Sequence, residues 1–232
     1  VISFAIIAGS GSATVNSTTG FITAIQSGTI TLTATSTGDV DYNMASTSQL
    51  ITIGKGTPTL AITSANVMMV DGSLTVSLST TAVGVKFSYS IGNGDTGSAA
   101  VNSLGVVRAI QAGTVILRVT SIANTNYYAS AMVTQTVTIS KTTTTLTITS
   151  ANTLNAGGAL TASISTSATY GRGGDLVFAV SAGSGSATVN PNTGLLRGIS
   201  GGTVTLIVTS MGDIDYNPAT TSQLITIAGG LS

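Results

Sequence analysis

The chain says nearly the same thing three times. Ser12-Ala-Thr-Val-Asn-Ser-Thr-Thr-Gly20 returns as Ser98-Ala-Ala-Val-Asn-Ser-Leu-Gly105 and again as Ser186-Ala-Thr-Val-Asn-Pro-Asn-Thr-Gly194. Each copy is followed by an apolar run and then a Gly-Thr pair, which opens at Gly28, Gly113 and Gly202. Gly28 to Gly113 is 85 residues and Gly113 to Gly202 is 89. Such a period is too long for one turn of a solenoid and is the size of a small domain with its own core. The repeat therefore restricts the chain to an array of similar domains before any secondary structure is considered.

The frame of the repeat comes from a second match. Ile51-Thr-Ile-Gly-Lys-Gly-Thr-Pro-Thr-Leu60 aligns with Val137-Thr-Ile-Ser-Lys-Thr-Thr-Thr-Thr-Leu146, and both lead into Ile-Thr-Ser-Ala-Asn. Boundaries at Lys55 and Lys141 give complete units at 55–140 and 141–228, a headless unit at 1–54 and a tail at 229–232. Residues 57–85 have no counterpart before Val1. The expectation is an excerpt that enters its first domain partway.

Composition narrows the chemistry. His, Cys, Trp and Glu are absent, and only 6% of the 232 residues are charged. Without His or Cys, neither a Ser–His–Asp nor a Cys–His nucleophile can be assembled, and zinc loses its usual ligands. Without Glu, paired-carboxylate work falls to Asp residues that sit mostly in turn-like sequence. No enzyme, catalytic residue or cofactor is expected. Scattered charges with a formal net of zero give no basic patch for nucleic acid or anionic lipid. Thr, Ser and Gly break every apolar run before it reaches the roughly eighteen residues of a spanning helix, so no membrane insertion is expected. Few charges and many β-branched and small polar residues describe a secreted all-β chain.

Period-2 alternation confirms that direction. In Val85-Lys-Phe-Ser-Tyr-Ser-Ile91 the apolar residues fall at every second position, which puts one face in a core and one in water. No segment sustains a 3.6-residue period, and Thr is a poor helix former. The middle unit predicts seven strands, at 59–63, 73–79, 85–91, 99–101, 106–110, 115–121 and 134–139, with Gly72, Gly84, Gly105 and Gly113 in the turns. Seven short strands in such a length predict a two-sheet antiparallel sandwich of immunoglobulin type. Gly28, Gly113 and Gly202 are predicted at the turn entering the sixth strand, with positive φ.

Residues 20–39, Gly-Phe-Ile-Thr-Ala-Ile-Gln-Ser-Gly-Thr-Ile-Thr-Leu-Thr-Ala-Thr-Ser-Thr-Gly-Asp, lead to a Tyr and then a closing Leu-Ile-Thr-Ile strand. This pattern resembles bacterial immunoglobulin-like domains of group 2, the stalk modules of intimin- and invasin-type adhesins. The resemblance covers the second half of every unit. It implies an all-β chain of tandem immunoglobulin-like antiparallel sandwiches arranged as a rod, each adding on the order of 40 Å. It also implies a stalk segment of a long exported adhesin on a bacterial surface, spacing a distal binding domain from the cell. Its partners would be neighbouring repeats of the same chain, with surface glycans or other cells met through domains not present here. The same module also occurs in phage virion proteins and beside secreted glycoside hydrolases, so a virion decoration or an accessory module of a polysaccharide-degrading enzyme stays open.

The sharpest polar cluster is Asp39-Val-Asp-Tyr-Asn43, which recurs as Asp213-Ile-Asp-Tyr-Asn217. An EF-hand loop opens with Asp-x-Asp-x-Asn, because alternate oxygens converge on Ca²⁺. Asp39, Asp41, Asn43, Asp213, Asp215 and Asn217 are therefore the calcium candidates. The glycine and the bidentate Glu of that motif are replaced by Met44 or Pro218 and by Leu50 or Leu224. The middle unit reads Asn124-Thr-Asn-Tyr-Tyr128 and lacks both carboxylates. The reading is a loop between the last two strands, with Asp or Asn holding turn amides and Tyr42, Tyr127 and Tyr216 folding back onto the sandwich edge. Gly92-Asn-Gly-Asp-Thr-Gly97 matches Gly-x-Gly-x-x-Gly but leads into another strand, so it is a glycine-rich loop and no dinucleotide site. Asn16-Ser-Thr18 is a lone glycosylation sequon, read as a turn. Lys86 faces solvent and Lys55 and Lys141 lie at unit junctions, which disfavours a buried Lys–Asn cross-link.

Overall fold

The computed structural model describes residues 1–92, 96–168 and 173–229. Every regular element among them is a β-strand. The central strand of the middle unit, Gly113–Ile122, shows how the sequence builds the core. Its alternation buries Val115, Leu117, Val119 and Ser121 and leaves the residues between them partly exposed. Lys86–Gly92 pairs antiparallel on one side and Val133–Ser140 on the other. Across the core lie Ser98–Val101, Val106–Gln111 and Ser73–Thr75, hydrogen-bonded in the order first, second, third. Leu60–Ile62 pairs with Leu78–Thr80. Val107, Ala109, Val76 and Met68 meet Leu117 and Val137 in one cluster. The third unit repeats the scheme around Leu196, Leu206 and Ile225.

The two-sheet all-β sandwich is as predicted, with two differences in detail. The predicted strand 73–79 is two strands, Ser73–Thr75 and Leu78–Thr80. Leu74 pairs with Val107 and Leu78 with Ile62, so the chain changes partner at buried Val76, whose amide bonds the Gly105 carbonyl at 2.9 Å. The second is an unpredicted strand, Val67–Met69, which runs parallel to Val133–Ser140. Thr153–Asn155 runs parallel to Ala219–Ala228 in the same way. A three-residue edge strand is too short for its alternation to register. Only the ladder beside it defines it.

Two glycine positions are demanded by the packing. Gly28, Gly113 and Gly202 open their strands at φ 135°, 135° and 132°, as predicted. A Cβ there would lie 2.4, 2.3 and 2.4 Å from the backbone nitrogen of Gly11, Gly97 and Gly185. Gly20, Gly105 and Gly194 also have positive φ and lie under the rings of Phe4, Tyr89 and Phe178. This aromatic-on-glycine contact occupies the core in the absence of Trp and Cys.

The first unit has the sheet Ile2–Ala8, Gly28–Ser36, Ala45–Ile53 and the pair Ser12–Val15 with Ile22–Gln26. Ile30 is its one buried apolar residue. Leu32 and Ile51 are half-buried, whereas their counterparts Leu117, Val137, Leu206 and Ile225 are fully buried. Of the glycine-rich loop at 92–97, residues 93–95 lie outside the described residues, as do 230–232 of the tail.

Candidate functional site: the recurring loop at the unit junctions

The two Asp-x-Asp-Tyr-Asn loops and their counterpart Asn124-Thr-Asn-Tyr-Tyr128 form the same turn. Asp39 Oδ1 accepts the amides of Asp41 and Tyr42, both at 2.9 Å. Asn124 Oδ1 accepts those of Asn126 and Tyr127 at 2.9 and 2.8 Å. Asp213 Oδ1 accepts those of Asp215 and Tyr216 at 2.7 and 2.8 Å. A neutral Asn makes the turn as well as an Asp, so the turn requires an acceptor oxygen and not a charge. Among the described residues no three His, Cys, Asp or Glu side chains gather as metal ligands. Asp41 and Asn43 point into solvent, and Asn217 Nδ2 lies 3.4 Å from Thr143 Oγ1.

The middle position of the loop crosses to the unit before it. Ser27 of the first unit donates its amide to Asn126 Oδ1 at 3.0 Å. Ala112, at the same place in the middle unit, donates its amide to Asp215 Oδ1 at 2.7 Å. Both donors stand just before the Gly-Thr pair. The first junction adds Asn126 Nδ2 to the Ile25 carbonyl at 3.1 Å, and Ser27 Oγ to the Thr125 carbonyl. At the second, the Asp215 side chain is 2% exposed, and a carboxylate at such depth requires hydrogen-bond partners.

The linkers are tied into the same loops. Lys55 Nζ donates to the Asn124 carbonyl at 2.8 Å and Lys141 Nζ to the Asp213 carbonyl at 2.6 Å. Gly56 donates its amide to the Asn126 carbonyl and accepts the Tyr128 amide. Thr142–Thr143 pairs in parallel with Tyr216–Asn217. Lys55 Nζ also stands 5.9 Å from the centre of the Tyr128 ring, within cation–π range. The two lysines that mark the boundaries in the sequence are therefore clasps on the loop.

The tyrosines differ from the edge-packing expectation. Tyr216 is 2% exposed because its side chain reaches into the preceding unit, where its hydroxyl donates to Asp71 Oδ2. Tyr127 lies against the linker at Gly56. Tyr42 is 75% exposed. The ring is drawn to the junction because apolar area and a hydroxyl partner are both available there. Sequence reasoning missed Asp71 as well as Ser27 and Ala112. Asp71 is the one described non-glycine residue with positive φ, at 63°. The matching place in the third unit is Gly157, at φ 79°. An Asp standing where its sister is a Gly is the signal that was available.

Strand pairing and junctions together define the chain as immunoglobulin-like β-sandwich units in series, the second and third carrying a loop that bonds to the unit before. No protein-family model matches the sequence, and no curated protein matches it. Among solved structures, the three N-terminal domains of the highly immunogenic outer capsid protein of bacteriophage RB49 are 11% identical, covering 99% of this chain and 89% of that one at a TM-score of 0.28. Murine CEACAM1b is 12% identical, covering 73% and 100% at 0.25. The Bacteroides ovatus protein SGBP-B, solved with a mixed-linkage heptasaccharide, is 14% identical, covering 98% and 60% at 0.22. Scores this low define no correspondence between whole chains, and the fold assignment stands on the strand pairing.

Proposed function

We propose that the chain is a structural stalk segment of a long exported bacterial surface adhesin, holding a distal binding domain away from the cell. One observation carries this reading. The same amide, just before the Gly-Thr pair, is bound by the same loop position at both junctions, as Ser27 to Asn126 and Ala112 to Asp215. A stalk must transmit position and force, so its joints need repeated, directional contacts in addition to covalent linkers. The Lys55 and Lys141 clasps hold each linker against the loop of the unit it leads into.

Small-angle X-ray scattering of the 232-residue chain tests the reading. The expected result is a stiff rod whose maximum dimension grows by a fixed increment per unit. Asn126→Ala together with Asp215→Ala should shorten the mean dimension and broaden its distribution while each unit stays folded. A wild-type chain as compact or as variable as the double variant would overturn the stalk reading.

A further inference from the structure

The hairpin joining Ser12–Val15 to Ile22–Gln26 turns at Asn16-Ser-Thr18. Asn16 Oδ1 accepts the Thr18 and Thr19 amides at 3.0 and 2.9 Å. The Gly20 amide donates to the Asn16 carbonyl, the Asn16 amide to the Phe21 carbonyl and the Phe4 amide to the Ser17 carbonyl, each at 2.9 Å. The turn therefore uses the oxygen end of the Asn16 carboxamide and only the backbone of Thr18. Among the described residues none bonds Asn16 Nδ2 or the Thr18 hydroxyl, and both residues are exposed.

The sister turns separate what the fold needs from what it leaves over. Asn102 Oδ1 accepts the Leu104 and Val106 amides at 3.0 and 2.9 Å, and Asn190 Oδ1 those of Asn192 and Thr193, both at 3.0 Å. Residues 102–104 and 190–193 are exposed as well, so the tip of this hairpin is open to solvent in the complete sandwiches. The turn demands only the first Asn. Its third place is Thr18, Leu104 or Asn192, each giving its amide, and Leu104 is 78% exposed, so nothing packs over that place. Folding thus gives no account of the Thr18 hydroxyl.

Chemistry does. Asparagine is a sugar acceptor when Ser or Thr follows two places on, with any residue but Pro between. Asn102 fails this pattern at Leu104, and Asn190 fails it at Pro191 and Asn192. Of the three turns, that of Asn16 alone meets it, with the reactive nitrogen and the hydroxyl both facing water.

We propose that Asn16 is the acceptor for an N-linked sugar, delivered from a donor activated by phosphate at C1. Asn16 Nδ2 forms the bond to C1, the bond from C1 to the phosphate oxygen breaks, and the phosphate carrier leaves with the electron pair. The proton lost from Nδ2 passes to a base of the transferase, and nothing is oxidised or reduced. Asn16 Oδ1 keeps its two amides, so the turn holds Nδ2 outward and outlives the modification. The Thr18 hydroxyl beside it is the group the transferase reads. The junction bonds at Ile25 and Ser27 use none of residues 16–19, so a glycan here leaves the joint intact. The inference is independent of the stalk reading.

Two reactions on the folded 232-residue chain test it. One uses a soluble sequon-specific N-glucosyltransferase with UDP-glucose, the other a membrane oligosaccharyltransferase with a lipid-linked diphosphate oligosaccharide. Intact mass and peptide mapping should show one glycan, at Asn16, in at least one reaction, which identifies the kind of donor. Thr18→Ala should lower its yield at least tenfold while hydrogen exchange of 12–26 stays unchanged. Leu104→Thr should add a second glycan, at Asn102. No sugar on the native chain in either reaction would overturn the proposal, as would modification of Asn16 only after unfolding in urea. Thr18→Ala modified as readily as the wild type would overturn it too. A Leu104→Thr chain modified at Asn16 alone would show that the turn does not present the acceptor, and would overturn it equally.

Discussion

The bond between Asp71 and Tyr216 sets the stability of one unit against that of the joint it makes. Asp71 holds a left-handed backbone at φ 63°, and its carboxylate accepts the Tyr216 hydroxyl across the second junction. Replacing it by Gly, the residue its sister position carries at Gly157, removes roughly 1 kcal/mol of left-handed strain. The same change deletes a hydrogen bond to a charged acceptor, which contributes about 1.5–3 kcal/mol. Tyr216→Phe deletes that bond from the other side and keeps the buried ring. The two changes should therefore be strongly non-additive, with a coupling of about 1.5–3 kcal/mol in a double-mutant cycle. Asp71→Asn, which keeps an acceptor and tolerates the backbone, should lose less than Asp71→Gly. A chain with two cores does not unfold as one two-state system. The assay is hydrogen exchange in rising urea, which follows the amides of each unit separately. Asp71→Gly should strengthen protection within 60–80 and weaken it at 213–217. Additivity within about 0.5 kcal/mol would refute the reasoning, because the bond would then contribute nothing to holding the units together.

Other outcomes follow from the same contacts. Gly113→Ala should cost well over 1 kcal/mol in the protection of the middle unit's amides, read by hydrogen exchange in rising urea, since its Cβ would stand 2.3 Å from the Gly97 nitrogen; unchanged protection would show that the turn relaxes freely. Asp215→Asn should preserve the second junction, because the first works with Asn126, whereas Asp215→Ala leaves the Ala112 amide unpaired and should cost about 1–3 kcal/mol in the protection of the junction amides, read by hydrogen exchange in rising urea. Melts in EDTA and in excess Ca²⁺ should coincide, and a calcium-dependent rise confined to the third unit would show that Asp213, Asp215 and Asn217 bind the ion.

Features that the backbone decides locally could be read from residue types alone. The repeat period, the alternation that buries Val115, Leu117 and Val119, and the positive φ of Gly28, Gly113 and Gly202 were all legible. Sterics and side-chain periodicity act over a few residues, and three copies of the same text reduce the noise. The turn held by Asp39, Asn124 and Asp213 was legible for the same reason, since its acceptor lies two and three residues from its donors. What the loop touches beyond its own turn could not be read in that way. Asn126 and Asp215 take their meaning from Ser27 and Ala112, which are 99 and 103 residues away. Tyr216 takes its meaning from Asp71, 145 residues away. The parallel strand Val67–Met69 is equally silent in sequence, because three edge residues acquire their conformation from the ladder of Val133–Ser140 beside them. Contacts between the ends of neighbouring units depend on how whole sandwiches abut, and no local pattern of residue types records that geometry.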